Sequence, residues 1–425
     1  MNAIGVLLIS NIYTPQDSGG TQRISQFFDA LSSSVSHNAL LVTTKCPPDH
    51  TLSTGHIHRA YDLNTLLKAR RKSHTLKKSS APASGFSRFI RMALYLIFCF
   101  PDEFMTFIPF GLYASSMVLH KHRIDYVFST YPSASNLVIG WIVSSIFRKK
   151  HIVDLREPWL NKPDWSMRYS NNRVCRARHK VENVLERQIL RGAHKVIMNH
   201  RWMIGPYKSL VGDASKLVVI PNGFDDHLMS KLNSSQSNRT SSDTLKLIYT
   251  GSYYLDHQPD FIFKAIQRAI EKDSRLVGKI VFNLYGSIDD RTKALIEKYS
   301  PVFTIHYHSY VERDLVFTKM LDSDLGVISF PPTRWSIDMI PSKVYEYKKL
   351  NIPLLIIGEK DSALQGLAAE WEESFYHAVD AESIADFLIA FSVSATRRRS
   401  ASADNNTIDE YSYSRLRERF VNLFK

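Results

Sequence analysis

The sequence predicts an α/β protein built from two doubly wound parallel sheets in two domains. Short apolar runs bounded by turn residues alternate with helical patterns along the whole chain. The alternation stops in the polar segment "KLNSSQSNRTSSD" at 231–243 and then restarts. A length of 425 residues with 44% hydrophobic content is enough for two cores. We expect domains at 1–230 and 244–407, separated by a linker or exposed loop at 231–243.

The first half carries the elements of the first sheet. The segment 19–33 predicts a helix with Ile24, Phe27, Phe28 and Leu31 on one face. The apolar runs around it are short and end in turn residues, as buried parallel strands do. Strands are predicted at 4–10, 38–44, 125–130, 150–155, 195–199 and 217–223.

The second half repeats this design and predicts a second sheet. Its apolar runs are again separated by helical patterns, and a basic polar loop at 395–406 precedes a last helix at 413–424. Strands are predicted at 245–252, 279–287, 303–311, 324–330 and 352–358, and helices at 258–272, 290–299 and 342–350.

Charge and cysteine content narrow the function classes. A net charge of +13 predicts an acidic partner, which leaves nucleic acid, an anionic membrane surface and a phosphorylated substrate open. The three cysteines form no CxxC motif and the sixteen histidines show no ligand spacing, so we expect neither a disulfide framework nor a metal site. The apolar N-terminus reads as a first strand instead of a signal peptide, and no apolar run is long enough to span a membrane. We expect a cytoplasmic protein.

A basic segment interrupts the first half. Residues 59–91 hold nine Lys or Arg against one acid, Asp62, and the apolar stretches 92–100 and 104–113 follow directly. Such a combination suits contact with an anionic membrane surface. It equally fits a solvated loop followed by an ordinary core helix, and both alternatives stay open.

Two stretches of the first half place chemistry-bearing residues after predicted strands. In "DSGGTQRI", Gly19 and Gly20 stand at a helix start, with Arg23 one turn on, where backbone approaches a ligand closely. In "VDLREPWL", the cluster lies where ligands of open α/β sheets bind. A tight turn and a surface ion-pair cluster are the structural alternatives. The second cluster comprises Asp154, Arg156, Glu157 and Trp159.

Two strand-glycine-serine turns mark the second half. Gly251 and Ser252 follow one predicted strand, and Gly286 follows the next, so the backbone is open to a phosphate or ribose at both places. The Asp-x-Asp of Asp322 and Asp324 predicts a helix-to-strand turn, since the first lies at a helix end and the second starts an apolar strand.

The stretch "DMIPSKVYEY" at 338–347 predicts a helix start that receives an anion. Pro341 suits the first helical position, and the N–H groups of Ser342, Lys343 and Val344 would then point at a diphosphate. Lys343 or Arg334 would add positive charge.

Two acids flank that helix start. Glu346 suits a ribose diol and Asp338 suits hydroxyl groups of a sugar beyond the phosphates. The alternative is an ordinary cap, because a helix N-terminus favours acids in its first turn.

Taken together, these motifs resemble the retaining glycosyltransferases of the GT-B fold, family 4. The resemblance runs from "DSGGTQRISQFFDAL" through "HIVDLREPW" and "VVIPNGFDD" to "MIPSKVYEYKKLNIPLL", nearly the whole chain. The last stretch is similar to the family's Glu-seven residues-Glu signature, with Asp338 and Glu346 in the two acidic positions. The resemblance implies an α/β GT-B fold, in which two Rossmann-like doubly wound domains face each other across a cleft. It also implies that the last helix, within 408–425, packs back on the first domain.

The resemblance implies site residues as well. Glu346 would hold the ribose and Asp338 the donor sugar, while Gly19 and Gly20 would lie near the phosphates or the acceptor. No metal and no cofactor would be needed, because the nucleotide-sugar is a co-substrate. The residues implied near the base are Ser309 and Tyr310.

The chain departs from the family at three places. Asp338 is one methylene shorter than the usual glutamate. The usual Arg and Lys after the first strand of the second domain are missing, so Arg156, Arg334 or Lys343 would supply the charge. The usual histidine of the first domain is absent, and Asp154 or Arg156 occupies its neighbourhood.

The resemblance implies transfer of a sugar, with retention of configuration, to a lipid-linked or oligosaccharide acceptor in surface polysaccharide or glycolipid biosynthesis. With the basic and apolar segment 59–113, this predicts a peripheral protein on the inner face of the cell membrane. A basic nucleic-acid-binding protein is one alternative, although the chain has no recognised RNA- or DNA-binding module. A catalytically inactive GT-B scaffold is the other.

Overall fold

The chain folds into two units, each built on its own parallel sheet. Unit 1 comprises Met1–Pro221 and Leu416–Lys425, and unit 2 comprises Asn222–Arg415. The two predicted doubly wound sheets are thereby confirmed. The computed structural model describes residues 3–13, 19–44, 56–63, 100–159, 173–233, 243–253, 259–330, 336–371, 375–378, 380–398 and 408–424.

Unit 1 contains a seven-stranded sheet in the order β3-β2-β1-β4-β5-β6-β7. Every described pairing is parallel, with Ile4 opposite His37 at the start of the β1–β2 ladder. The strand order reverses between β1 and β4, which makes the sheet doubly wound. The strands are β1 (Ile4–Ile9), β2 (His37–Thr44), β3 (Ile57–Ala60), β4 (Tyr126–Tyr131), β5 (Lys150–Leu155), β6 (Lys195–Met198) and β7 (Leu217–Val219).

The helices of unit 1 pack against this sheet. In α1 the four predicted residues, Ile24, Phe27, Phe28 and Leu31, are all buried, which confirms the predicted face. The helices are α1 (Gly19–Ser32), α2 (Phe107–Lys121), α3 (Ala134–Ile146), α4 (Arg173–Gly192) and α5 (Ile204–Val211).

The C-terminal residues belong to the core of unit 1. Phe420 stacks on Phe27 with ring centroids 3.9 Å apart, and Phe424 meets Tyr126 edge to face at 5.3 Å. Arg419 donates to the carbonyl of Val219 at 2.6 Å. This is the packing that the resemblance implies for the last helix.

Unit 2 contains a six-stranded parallel sheet in the order β10-β9-β8-β11-β12-β13. Its switch point lies between the central strands β8 and β11, because the strand order runs in opposite directions on the two sides of this pair. The strands are β8 (Leu245–Thr250), β9 (Ile280–Tyr285), β10 (Thr304–His308), β11 (Leu325–Ser329), β12 (Leu354–Ile357) and β13 (Phe375–Ala378).

One helix of unit 2 lies against the sheet at unusually short range. Tyr347 is fully buried, and a Cβ at Gly326 in β11 would collide with its ring. The glycine therefore lets α10 approach the sheet, which fixes the first turn of that helix beside β8 and β11. The helices are α6 (Asp226–Asn233), α7 (Pro259–Lys272), α8 (Asp290–Tyr299), α9 (Arg313–Leu321), α10 (Lys343–Lys349), α11 (Ala363–Glu370), α12 (Ala381–Arg398) and α13 (Tyr413–Val421), whose last turns belong to unit 1.

The units divide at residue 221, before the predicted end of the first domain at 230. The N–H of Phe224 donates to Tyr411, and the N–H of Tyr413 donates to Phe224. Because these bonds lie within unit 2, α6 starts the second unit. The predicted linker at 231–243 is also shortened, since α6 extends to Asn233, and residues 234–242 lie outside the described part of the chain.

Segment 104–113 is not wholly an exposed apolar block. It forms the start of α2, whose residues Phe107, Gly111 and Val118 are buried in the core of unit 1. The predicted alternative of a core helix is therefore right for one face of α2. Residues 64–99, which hold most of the basic run, lie outside the described residues.

The end of the second half also differs from prediction. The basic loop expected from 395 begins later, because α12 continues to Arg398. No helix of the described residues is long and apolar enough to cross a membrane.

Candidate functional site

Three neighbouring strands of unit 2 end side by side and form an exposed backbone edge. The N–H of Gly251, just after β8, donates to the carbonyl of Tyr285 at 2.6 Å. The N–H of Gly286, just after β9, donates to the carbonyl of His308 at 3.0 Å. We call residues 250–252, 285–287 and 308–310 the carboxyl edge of unit 2. It lies next to the switch point, where ligands of open α/β sheets bind.

The two glycines of this edge are required by its geometry. Gly251 has a φ of 112° and Gly286 a φ of 133°, conformations that L side chains rarely adopt. A Cβ at Gly286 would also collide with the carbonyl oxygen of Gly251. The two glycines therefore let the ends of β8 and β9 pack together and leave room for the Lys343 side chain beside Gly251. A phosphate or ribose contact at this edge stays a prediction.

Lys343 inserts its ammonium group into this edge. Nζ donates to the carbonyl oxygen of Thr250, and a Cβ at Gly251 would collide with Nζ. Burial is the main cause that lowers the pKa of Lys343. The Glu346 carboxylate opposes this effect, the nearby Arg313 guanidinium adds to it, and the pKa falls to about 8 overall. A bound anion would therefore stabilise the protonated form of Lys343.

Glu346 lies one helical turn beyond Lys343 and is almost fully buried. Its side chain retains 9% of its exposure, and Oε1 accepts a hydrogen bond from Nη2 of Arg313 at 2.5 Å. The Glu346 carboxylate is therefore held in place by the Arg313 guanidinium at the start of α9. The arrangement leaves a carboxylate one turn from a buried ammonium group.

The start of α10 differs from the predicted anion site. Ser342 precedes the helix and Lys343 is its first residue. The N–H of Val344 donates to the carbonyl of Pro341 at 3.2 Å, and the N–H of Tyr345 donates to Ser342 at 3.1 Å. The prediction that the N–H of Val344 points at a bound anion is therefore wrong, because it is used in the first turn. Positive charge at this place comes from side chains.

The remaining predicted donor residues occupy different places in unit 2. Asp338 ends a short 3-10 helix, Ser336–Asp338, and is partly buried. The carbonyl of Ser252 accepts from the Tyr249 hydroxyl at 3.1 Å. Ser309 and Tyr310 directly follow β10 and are exposed, next to the stacked rings of Tyr285 and His308. Arg334 lies outside the described residues.

Asp154 and Arg23 form a buried structural network in unit 1. Arg23 donates from Nε and Nη2 to the Asp154 carboxylate at 3.2 and 2.8 Å. The same guanidinium donates to the carbonyls of Pro221 and Ile220, and Thr130 donates to Asp154. Both side chains are 1% exposed. The pair ties α1 to β5 and to residues 220–221. The catalytic role of Asp154 and the phosphate or acceptor-loop role of Arg23 stay predictions.

Trp159 is likewise part of the core. It is buried, stacks near Tyr131 and donates its backbone N–H to the Tyr207 hydroxyl at 3.0 Å. Its phosphate or acceptor-loop role stays a prediction. Arg156 stays partly exposed and donates from Nε to the carbonyl of Tyr131 at 2.9 Å.

Gly19 and Gly20 form the first turn of α1, as predicted. Residues 14–18 of the preceding loop lie outside the described part of the chain. The acidic pair at the end of α9 behaves as predicted for a turn: Asp322 caps the helix, and Asp324 accepts from the N–H of Lys246 at 2.9 Å. Within the described residues no group of three His, Cys, Asp or Glu could hold a metal ion.

Arg313 was missed by the sequence analysis. It stands at the first position of α9, five residues after the end of β10. The available signal was its place in the chain, because a charged residue soon after a predicted strand of a parallel sheet lies near the ligand-binding edge. Nothing in the spacing of "VERDL" indicates a partner in Glu346, which lies 33 positions away.

Solved structures with this fold include sugar-transferring enzymes. Sucrose-phosphate synthase from Thermosynechococcus elongatus is similar over 99% of this chain and 98% of its own, with 13% identity and a TM-score of 0.65. HepE of Anabaena, solved with UDP-glucose, is similar over 99% of each chain, with 14% identity and a TM-score of 0.61.

A third similar structure is the UDP-forming α,α-trehalose-phosphate synthase from Burkholderia xenovorans, solved with glucose-6-phosphate. It has 12% identity, a TM-score of 0.61 and coverage of 99% of both chains. Neither a family model nor a curated protein sequence matches the chain. At these identities the likeness shows the fold, which is that of the GT-B glycosyltransferase structures.

Proposed function

We propose that this protein transfers a sugar from a nucleotide-sugar donor to an acceptor hydroxyl group, with the donor bound at the carboxyl edge of unit 2. The observation that carries the proposal is the ammonium group of Lys343, held against the bare backbone at Thr250 and Gly251 one turn from Glu346. HepE, which shares the fold, is described with UDP-glucose and with UDP at similar coverage.

In the proposed complex each group has a separate task. The donor diphosphate contacts Lys343. The positive charge of this residue stabilises the leaving group more strongly as negative charge develops on it. Glu346 accepts hydrogen bonds from the ribose hydroxyls, and Asp338 from hydroxyls of the donor sugar. Tyr285, His308 and Tyr310 lie where the base would be reached from the same edge.

The proposed reaction retains configuration and uses no metal. The bond from the anomeric carbon to the diphosphate oxygen breaks, and a bond to the acceptor oxygen forms on the same face. The acceptor proton moves to the leaving diphosphate oxygen, so the nucleoside diphosphate departs with the proton and the charge balances. The chain's contribution is to stabilise the charge that develops on the leaving group.

We further propose a lipid-linked saccharide as the acceptor, in assembly of a surface polysaccharide or glycolipid at the inner face of the cell membrane. Helix α2 supports this proposal through an apolar stripe opposite its buried face. Phe110, Tyr113 and Met117 are spaced three and four residues apart and are 36%, 69% and 36% exposed. The basic run of 59–91 precedes this helix in sequence and suits anionic headgroups.

The proposed activity is tested by release of nucleoside diphosphate from UDP-, GDP- and dTDP-sugars in the presence of membrane lipid extract. We expect turnover of at least one donor, and a loss of about 100-fold in Glu346→Ala with an unchanged fold by circular dichroism. Glu382→Ala removes an exposed acid of the same unit and serves as the control. No turnover of any donor, or full activity in Glu346→Ala, would overturn the proposal.

A further inference from the structure

Arg313 has a relation to the site that no predicted role covers. Its Nη2 is bound to Oε1 of Glu346 at 2.5 Å, and the guanidinium carbon lies 5.3 Å from the ring centroid of Phe317. Phe317 is buried, so one face of the guanidinium rests on fixed core. The side chain of Arg313 is 32% exposed, so its other side is open to solvent.

The guanidinium uses only part of its hydrogen-bonding capacity. A guanidinium carries five N–H donors in a planar fork. Among the described residues, hydrogen bonding of Arg313 is confined to Nη2, which leaves Nε and Nη1 available. Glu346 uses Oε1 for this bond, and Oε2 remains available for a hydroxyl group.

Two cations therefore stand close to one carboxylate. The Glu346 carboxylate raises the pKa of Lys343 and the Arg313 guanidinium lowers it, so both charges lie within electrostatic range of the Lys343 ammonium group. The cluster carries a net positive charge while Lys343 is protonated. A partly exposed cluster of this kind gains from a bound anion with several oxygen atoms, such as a diphosphate.

We propose that Arg313 serves the donor in two ways. It positions the Glu346 carboxylate for the ribose, and together with Lys343 it supplies the positive charge that the diphosphate requires. The proposal rests on the proposed function of this edge. It also explains how the chain manages without basic residues in "GSYYLDHQPD" after β8, because its second cation arrives from the start of α9.

Binding of UDP, GDP and dTDP, measured by calorimetry, tests this role. For whichever nucleotide the wild type binds, we expect Arg313→Met to weaken affinity by about 10- to 100-fold. Arg313→Lys restores a point charge without the planar fork, so we expect a smaller loss of a few-fold to about tenfold. Arg268→Met is the matched control, because Arg268 is an exposed arginine of unit 2 paired with Glu382 at 3.1 Å.

A pH profile separates this role from a merely structural one. Lys343 faces Glu346 on its own helix, Arg313 on α9 and the carbonyl of Thr250 at the end of β8. Because the charge of Arg313 lowers the pKa of Lys343, Arg313→Met should move the alkaline loss of nucleotide affinity to higher pH. Loosened packing alone would weaken binding without that upward shift.

The outcomes are distinguishable. If the wild type binds none of the nucleotides, the proposed function itself fails. If the wild type binds and Arg313→Met matches the Arg268→Met control in affinity and in pH midpoint, the role of Arg313 is wrong and the proposed function stands. Weaker binding with an unmoved midpoint would also overturn the proposal, because it would reduce Arg313 to a packing residue.

Discussion

At the scale of single residues, the proposed donor site depends on one lysine whose ammonium group is buried against backbone. The Lys343 ammonium group lies beside Gly251 and donates to the carbonyl of Thr250. A side chain at residue 251 would collide with that ammonium group. Burial destabilises the charged form of Lys343 and so lowers its pKa. A bound anion would stabilise the charged form again. The same reasoning makes nucleotide binding sensitive to pH.

We therefore expect the affinity for a nucleoside diphosphate to fall above about pH 8. The free protein loses the Lys343 proton there, whereas the bound phosphate favours the protonated form, so binding must take up a proton. The dissociation constant should rise by about tenfold per pH unit above that value until the complex also deprotonates. Calorimetry between pH 7 and 9.5 measures this slope, and a flat profile would contradict it.

The sequence identified some of these residues and not others, for physical reasons. Gly251, Gly286, Lys343 and Glu346 lie in short motifs whose local geometry follows from the strand ends and a helix start. Arg313 reaches Glu346 only through tertiary packing, which no local spacing encodes.

At the scale of elements, Arg23 and Asp154 join parts of unit 1 that are far apart in sequence. Arg23 on α1 reaches Asp154 on β5 and the carbonyls of Ile220 and Pro221, all in a buried place. A buried ion pair with most donors satisfied holds these elements in one arrangement. Sequence alone placed both residues at the carboxyl end of the sheet but could not show that they neutralise each other.

Removal of one partner should destabilise unit 1 strongly. Arg23→Met leaves Asp154 buried without its cation, and we expect the free energy of unfolding to fall by about 3–5 kcal/mol. Arg123→Met is the control, because Arg123 is exposed and lies 3.9 Å from Asp125. Chemical denaturation measures both variants. Equal losses in the two would show that the buried pair contributes no more than a surface pair.

Elements with strong strand patterns were predicted to within a few residues, whereas for α2 the sequence left membrane contact and a core helix open as alternatives. Its apolar residues form two stripes, one facing the core and one exposed, so the run reads as uniformly apolar in sequence. The burial of Phe107 and Val118 and the packing of Gly111 against Ile139 show which face is inside.

At the scale of the whole molecule, the exposed stripe of α2 relates the fold to the proposed acceptor. We expect the protein to float with vesicles containing anionic phosphatidylglycerol and not with phosphatidylcholine alone. Replacement of the stripe, Phe110, Tyr113 and Met117, by serine should weaken vesicle binding by about tenfold, because apolar area no longer enters the interface.

Exposed apolar residues elsewhere provide the control for this measurement. Val181 and Val184 on α4 are 54% and 60% exposed, and their replacement by serine should leave flotation unchanged. A wild type that remains unbound, or a stripe variant that floats as well as the wild type, would contradict membrane contact through α2.

Two doubly wound sheets follow from the periodicity of the chain, whereas the proposed activity depends on one edge of one sheet. The most direct test is calorimetric titration of UDP, GDP and dTDP into the wild type, Lys343→Met and, as control, Lys272→Met, which alters an exposed lysine of unit 2. We predict that the wild type binds at least one nucleotide, that Lys343→Met weakens this binding by about tenfold or more, and that the control does not. Absence of binding to the wild type, or equal affinity in Lys343→Met, would contradict the assignment of the donor site to this edge.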